Sequence, residues 1–320
     1  MKKIVFLISF VGLSLHAQNN VTSKNISNFN YQVEEGNVIK TLSYLTSDEL
    51  EGRDSGSEGI ELATVYLENL LKENGIKPYF KTYRDTLSNF NKTSYNVVGY
   101  IEGNDKELKN EFVIIGAHYD HIGKIAAVNG DDIGNGANDN ASGTTAVTEV
   151  AKYFAKFKNN KRSILFVFFS AEEKGLLGSK HLAAKLKEQK MDLYFMFNFE
   201  MIGVPMKDKG MDFYLTGFGK SNMASLINEY AGEKLVGYLP IETKYMLFRA
   251  SDNYPFFTEF NVPAQTVSTF DFENFQFYHQ PDDEFEMMDT KHMTTVITKT
   301  IPVLERMINA PKKEIKLNEK

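Results

Sequence analysis

The segment GAHYDHIG, residues 116–123, follows the apolar run FVII and crowds His118, Asp120 and His121 where a buried strand should end. Further along, NGANDNASG carries Asp139 in a Gly/Asn-rich turn, and SAEEKG places Glu172 and Glu173 directly after another apolar run. NFEMIG carries Glu200 after a third run, and YHQPDD carries His279 in a late loop. A charge at the end of a buried strand costs free energy unless it is paired or metal-bound. Repeated placement at several strand ends points to one shared site. Imidazoles mixed with carboxylates suit zinc, and the chain has no cysteine, so thiolate ligands and disulfides are excluded. Two metals roughly 3.5–4 Å apart need a carboxylate that can bridge them. Adjacent side chains diverge in extended backbone, so of Glu172 and Glu173 one can bind metal while the other reaches a water.

Other residues read more plainly. His121 is expected to be a loop or wall residue and His181, on a helix beside Lys180, to be solvated. Asp139 could cap the following helix, but Ser142 lies nearer its start. In FRASDNYPF, Ser251 or Asp252 is expected to cap a helix rather than line the site. Arg53, in EGRDSGSEG, is expected to order a surface loop by pairing with acids. The aromatic run FDFENFQFYH fits a pocket wall and core packing equally well.

The elements that must position these groups alternate along the chain. GIELATVYLENLLKENG sets Ile60, Ala63, Leu67, Leu70 and Leu71 on one helical face and stops at Gly75. YNVVGYI, EFVIIGAHYD, RSILFVFFSAEE and DLYFMFNFEMIG read as strands, the last two continuously apolar as in strands covered on both faces. SGTTAVTEVAKYFAKF and GSKHLAAKLKEQ read as helices between them, and a last helix near residues 290 to 308 contains Pro302, which should kink or interrupt it. This succession predicts an α/β fold, a three-layer αβα sandwich with a mostly parallel mixed central sheet. Such sheets carry their sites at the carboxyl ends of the strands.

The chain of 320 residues is 42% apolar and 24% charged, as in a globular protein with a sizeable core. Its net charge of -6 argues against nucleic acid as a partner. MKKIVFLISFVGLSLHA has the layout of a secretory signal, with cleavage expected after Ala17. The expected organisation is a signal peptide at 1–17, a loose segment at 18–35, one catalytic domain at 36–310 and a polar, equally loose tail at 311–320. No later segment reads as a membrane helix, so a secreted or periplasmic protein is expected.

Taken together and in this order, GAHYDHIG, NGANDNASG, SILFVFFSAEEKGLLGS, NFEMIG and YHQPDD resemble the M28 family of zinc peptidases, of the bacterial aminopeptidase type. The resemblance runs from about residue 40 to about residue 305 and includes EGRDSGSEG. It implies a phosphorylase/hydrolase-like zinc exopeptidase fold, a peptide substrate and a pair of zinc ions. His118 and Glu200 would bind one zinc, Glu173 and His279 the other, and Asp139 would bridge them, followed by a cis peptide to Asn140. Asp120 would accept from the His118 ring and fix its tautomer. Glu172 would be the general base, taking a proton from water and passing it to the leaving amine. The family usually has Asp where this chain has Glu200. Glutaminyl-peptide cyclases, which are related, use a single zinc, so a cyclase is one alternative; a non-catalytic binding module on the same fold is another.

Overall fold

The computed structural model describes residues 30–319. The expected signal segment and most of the 18–35 segment lie outside the described residues. In chain order the elements are α1 (Glu35–Leu45), α2 (Glu58–Glu73), β1 (Lys77–Pro78), β2 (Arg84–Thr86), β3 (Tyr95–Ile101), β4 (Glu111–His118), β5 (Gly123–Val128) and β6 (Asp131–Gly134). There follow α3 (Gly143–Phe157), β7 (Ser163–Phe169), α4 (Leu177–Glu188), β8 (Asp192–Glu200), β9 (Phe213–Leu215), α5 (Met223–Ala231) and β10 (Val236–Gly237). The last elements are α6 (Pro240–Lys244), α7 (Asn253–Phe260), β11 (Ala264–Ser268) and α8 (Thr290–Asn309).

Nine strands form one mixed sheet in the order β1-β3-β7-β4-β8-β11-β9-β10, with β2 beside β3. Its centre, β7-β4-β8-β11, is parallel, while β3 and β9 run antiparallel to their inner neighbours. Alternate side chains of each central strand leave on opposite faces. Val113, Ile115 and Ala117 join Phe166, Phe168, Phe195 and Phe197 in a core covered by α1, α2, α3, α5 and α8. Ile114, Leu165, Val167, Phe169 and Met196 form the opposite core, against α4 and α7. Both faces are therefore buried, which is why these strands are continuously apolar, and the expected three-layer sandwich is what forms. Helix α2 buries Ile60, Ala63, Leu67, Leu70 and Leu71 and is capped by Ser57, whose hydroxyl accepts from the Ile60 amide at 3.3 Å.

Register brings the chemistry to one edge. His118 pairs with Phe169, and Ser268 pairs with Glu200, so the carboxyl ends of β4, β7, β8 and β11 finish nearly level. His118 and Glu200 are strand-terminal, and Glu172 lies a few residues beyond Phe169.

Two expectations are corrected. Helix α8 runs through Pro302 as one helix. Ile301, Val303, Leu304, Met307 and Ile308 are all buried, and packing on both sides of the proline outweighs the one backbone bond it forfeits. The polar tail is docked rather than loose. Ile315 is buried and its amide donates to the Tyr194 hydroxyl at 2.9 Å, while the Lys316 amide donates to Asn222 Oδ1 at 2.7 Å. Among the described residues no helix is long and apolar enough to cross a membrane. Replacing Ile315→Ala removes a buried side chain and is expected to cost about 2–4 kcal/mol. Urea unfolding measures this, and a loss under about 0.5 kcal/mol would mean that the tail does not pack in solution.

Candidate metal centre

The loop carrying Asp139 is laced to the end of β8 by its own polar side chains. Asn138 Oδ1 accepts from the Gly203 amide (2.8 Å), Ser142 Oγ from the Ile202 amide (2.9 Å), and Asn140 Oδ1 from the Met201 amide (3.1 Å). Asn140 Nδ2 donates in turn to the Phe199 carbonyl at 2.9 Å. At Gly143, an added Cβ would lie 2.3 Å from Asn140 Oδ1 and 2.5 Å from the Phe199 carbonyl, so only glycine lets α3 start this close. The Asp139–Asn140 peptide is cis, as the resemblance implies.

A second tie comes from the late loop. The Asp283 carboxylate accepts from the amides of Asn138 (2.7 Å) and Asp139 (3.1 Å), and its carbonyl accepts from the Ala137 amide (2.9 Å). The third is Arg53. It is fully buried, and its guanidinium donates to the carbonyls of Tyr119 (2.7 Å), Asn135 (2.7 Å), Gly136 (3.0 Å) and Leu45. It is not a surface residue paired with acids. Burial lowers its pKa to about 10, and the nearby carboxylates of Asp120, Asp283 and Asp139 act against that fall. Arg53 thus pins the HYD turn and the entry to the Asp139 loop to each other through main chain alone.

These ties bring together all the expected ligands. Asp139 Oδ1 lies 3.3 Å from His118 Nε2, and Asp139 Oδ2 lies 3.2 Å from His279 Nε2. Its two oxygens face two different donor sets, as a bridging carboxylate requires. His118 Nε2 is 3.2 Å from Glu200 Oε1, whose other oxygen accepts from Ser251 Oγ at 2.8 Å. His279 Nε2 is 3.2 Å from Glu173 Oε1. His279 sits at φ +56 and its ring stacks on Tyr278, with centroids 3.9 Å apart. One donor set is therefore His118, Asp139 and Glu200. The other is Asp139, Glu173 and His279, with His121 as a further member, and within each set the candidate ligand atoms lie within 4.8 Å of one another.

Asp120 acts differently from the expectation. Its carboxylate Oδ1 is 3.8 Å from His118 Nδ1, whereas its main-chain carbonyl lies 3.1 Å from that nitrogen and takes the bond that orients the ring. The carboxylate accepts instead from the amides of Glu172 (3.1 Å) and Glu173 (3.4 Å) and from Ser55 Oγ (3.2 Å). It holds the Glu172–Glu173 pair after β7 by their amides. Asp252 is fully buried and makes no cap to α7; its charge is near enough to act on Glu172 and to feel Glu200. His181 is not free in solvent, because its Nδ1 meets Ser88 Oγ at 3.1 Å and its Nε2 lies 3.3 Å from buried Asp85.

Electrostatics supply the test of fit. Asp120, Asp139, Glu172, Glu173, Glu200 and Asp252 lie close enough to act on one another's charge. Burial pushes Asp120 and Asp252 up to about 7, and burial with the charges of Asp252, Glu200 and Glu173 pushes Glu172 well above the carboxylate range, against the pull of His118. Glu173 Oε1 and His279 Nε2 are buried without hydrogen-bond partners. Such an excess of buried negative charge with convergent unpaired ligand atoms is what divalent cations satisfy, so the residues present fit a metal pair held by nitrogen and oxygen.

Beside the first set lies a cleft. Glu172, His118, Asp139 and Glu200 form its polar end, and Met201, Tyr214, Leu247, Phe270, Phe272 and Tyr278 its apolar wall. The aromatic run thus divides. Phe270, Phe272 and Tyr278 face the cleft, while Phe275 is buried in the core and Phe277 packs against it.

Residues 96–302 match the model of peptidase family M28. Among curated relatives, a probable leucine aminopeptidase 2 from Arthroderma benhamiae is 32% identical over 189 residues, which is 56% of this chain and 34% of that protein. The chain spans about a third of the length of the first such relatives. Among solved structures, a zinc aminopeptidase from Bacillus subtilis superposes with a TM-score of 0.67 at 18% identity, covering 87% of this chain and 96% of that one. A glutaminyl cyclase from Porphyromonas gingivalis gives 0.66 at 16% identity, covering 86% and 99%. At these identities the two structures establish the fold and do not separate the chemistries.

Asp283 tests the positioning. In Asp283→Asn one acceptor oxygen becomes an NH2 group facing a backbone amide, which should loosen Asp139. Zinc affinity is expected to fall roughly 10–100-fold, read by competition with a chromogenic chelator; unchanged affinity would remove Asp283 from the support of the site. With the match covering most of the chain and both donor sets in place, the chain belongs to peptidase family M28.

Proposed function

We propose that this chain is a zinc-dependent aminopeptidase that removes apolar residues from the free amino end of peptides. The observation that carries the proposal is Asp139 standing between two donor sets, with Glu172 on the cleft side of them. His118 and Glu200 would hold one zinc and Glu173 and His279 the other, with Asp139 shared between the two sets. What bound zinc supplies is Lewis acidity, which acidifies water and takes up charge developing on a carbonyl oxygen.

The chain's own residues do the rest. Glu172 takes a proton from water and returns it to the leaving amine. Its raised proton affinity, caused by burial and neighbouring carboxylates, suits a group that must keep a proton between taking it from water and passing it on. Asp120 holds Glu172 and Glu173 through their amides, and its carbonyl holds the His118 ring. The acidic end of the cleft attracts a free amino group. The wall of Leu247, Met201, Phe270 and Phe272 accepts an apolar side chain, in keeping with the leucine aminopeptidase name of the fungal relative. The lysine pair and apolar run at the amino end of the sequence support export, to the periplasm or beyond.

Glu172→Gln is expected to retain metal and fold while turnover falls roughly 10²–10⁴-fold, measured against a chromogenic aminoacyl substrate with metal content assayed in parallel; full activity would rule out Glu172 as the base. Across a panel of aminoacyl substrates, Leu should exceed Gly in kcat/KM by at least about 10-fold, and acidic residues should be poor. Released amino acid rather than ammonia identifies hydrolysis, and ammonia from an N-terminal Gln peptide would establish the cyclase instead. Neither product, with no zinc bound, would leave a binding module. For the exported protein, Edman sequencing is expected to begin at Gln18.

A further inference from the structure

We propose that His121 is itself a metal ligand. Its Nδ1 then joins Asp139, Glu173 and His279, so that one metal position has four protein donors while the other, at His118, Asp139 and Glu200, has three. The inference rests on the two-zinc reading above and adds a ligand to it.

His121 is completely buried, and among the described residues neither of its ring nitrogens has a hydrogen-bond partner. A buried imidazole left this way forfeits the bonds it made in water. Its surroundings are not apolar, however. Nδ1 lies 3.1 Å from Glu173 Oε1, in a geometry that makes no hydrogen bond, and 3.8 Å from Asp139 Oδ2. The ring stands edge-on to that of His279, with centroids 5.5 Å apart and planes at 70°. His279 Nε2 is 3.2 Å from the same two carboxylate oxygens. His121 Nδ1, Glu173 Oε1 and His279 Nε2 thus converge on one point with their bonding capacity unused. Two imidazoles and two carboxylates are a recognised zinc donor chemistry.

The main chain is built around this ring. The His121 amide donates to the Arg53 carbonyl at 3.3 Å, and the Arg53 side chain holds the Gly136 carbonyl. Gly136 is at φ +58, and a Cβ there would fall 2.5 Å from His121 Cγ. Only glycine lets the Asp139 loop pass this close to the ring.

Four protein donors complete a tetrahedral zinc, whereas three leave a position open. The three-donor set, His118, Asp139 and Glu200, lines the cleft beside Glu172; His121, Glu173 and His279 do not. The two positions are therefore unequal. The His121 position fills first and holds its metal, and the His118 position exchanges more readily and stays open toward substrate.

Zinc-edge X-ray absorption on metal-free full-length protein reloaded with one equivalent of zinc tests this without any substitution. The expected spectrum contains two imidazoles per zinc. In His121→Ala the count should drop to one, and the affinity for the first equivalent should fall by more than the roughly 10–100-fold typical of losing an outer-shell partner. A single imidazole in the unaltered protein, or an unchanged spectrum in His121→Ala, would overturn the assignment. Two zincs and aminopeptidase turnover with a one-imidazole spectrum would sink the His121 ligand alone. No zinc uptake and no hydrolysis would remove the two-zinc reading with it.

Discussion

Asp139 must present one oxygen to each of two donor sets, and most of the surrounding structure exists to hold it in that posture. It sits in a loop, where a side chain is free to wander unless its backbone is tied. Here the ties come from every side. Asn138, Asn140 and Ser142 bind the end of β8, Asp283 binds the amides of Asn138 and Asp139, and Arg53 binds the carbonyls just before the turn. None of these residues is a candidate ligand. Their side chains are buried and bond mainly to main chain, so each fixes a position without adding a ligand atom.

The same arrangement explains how so much negative charge is tolerated at one sheet edge. Among the described residues no lysine or arginine side chain pairs with these carboxylates; Arg53 is nearby but donates to carbonyls. Histidines and, in the proposed function, cations take that role. Burial raises the proton affinity of Glu172, Asp120 and Asp252 together, and only Glu172 among them lines the cleft. Glu172 thus stands at the open face, while Asp120 and Asp252 are fully buried away from it.

Much of the architecture was readable from periodicity. The apolar runs of β7 and β8 could only be strands covered twice, and their ends located His118, Glu172 and Glu200. The short hairpin of β5 and β6 was not read, although Asn129 and Gly130, both at positive φ, carry the Asn-Gly signal of such a turn. Ile315 was overlooked because a single apolar residue among charges has no period. Asp252 departs from its expected capping role for a related reason: a carboxylate before a helix usually caps it, and only the fold brings it close to Glu172 and Glu200.

What the sequence determined by itself was the kind of chemistry and its order along the chain: imidazoles and carboxylates at strand ends, no thiol, and motifs in the order of one peptidase family. Side-chain type and strand periodicity are local properties, and a sequence carries them directly. What only the tertiary structure decided was partnership. His121 reads as a wall residue until the Asp139 loop, passing at Gly136, and the His279 loop close over it. The Asp120 carboxylate turns out to serve two amides, while its carbonyl serves His118. Contacts between loops far apart in the chain depend on where the sheet edge brings them, and no spacing in the sequence encodes that distance.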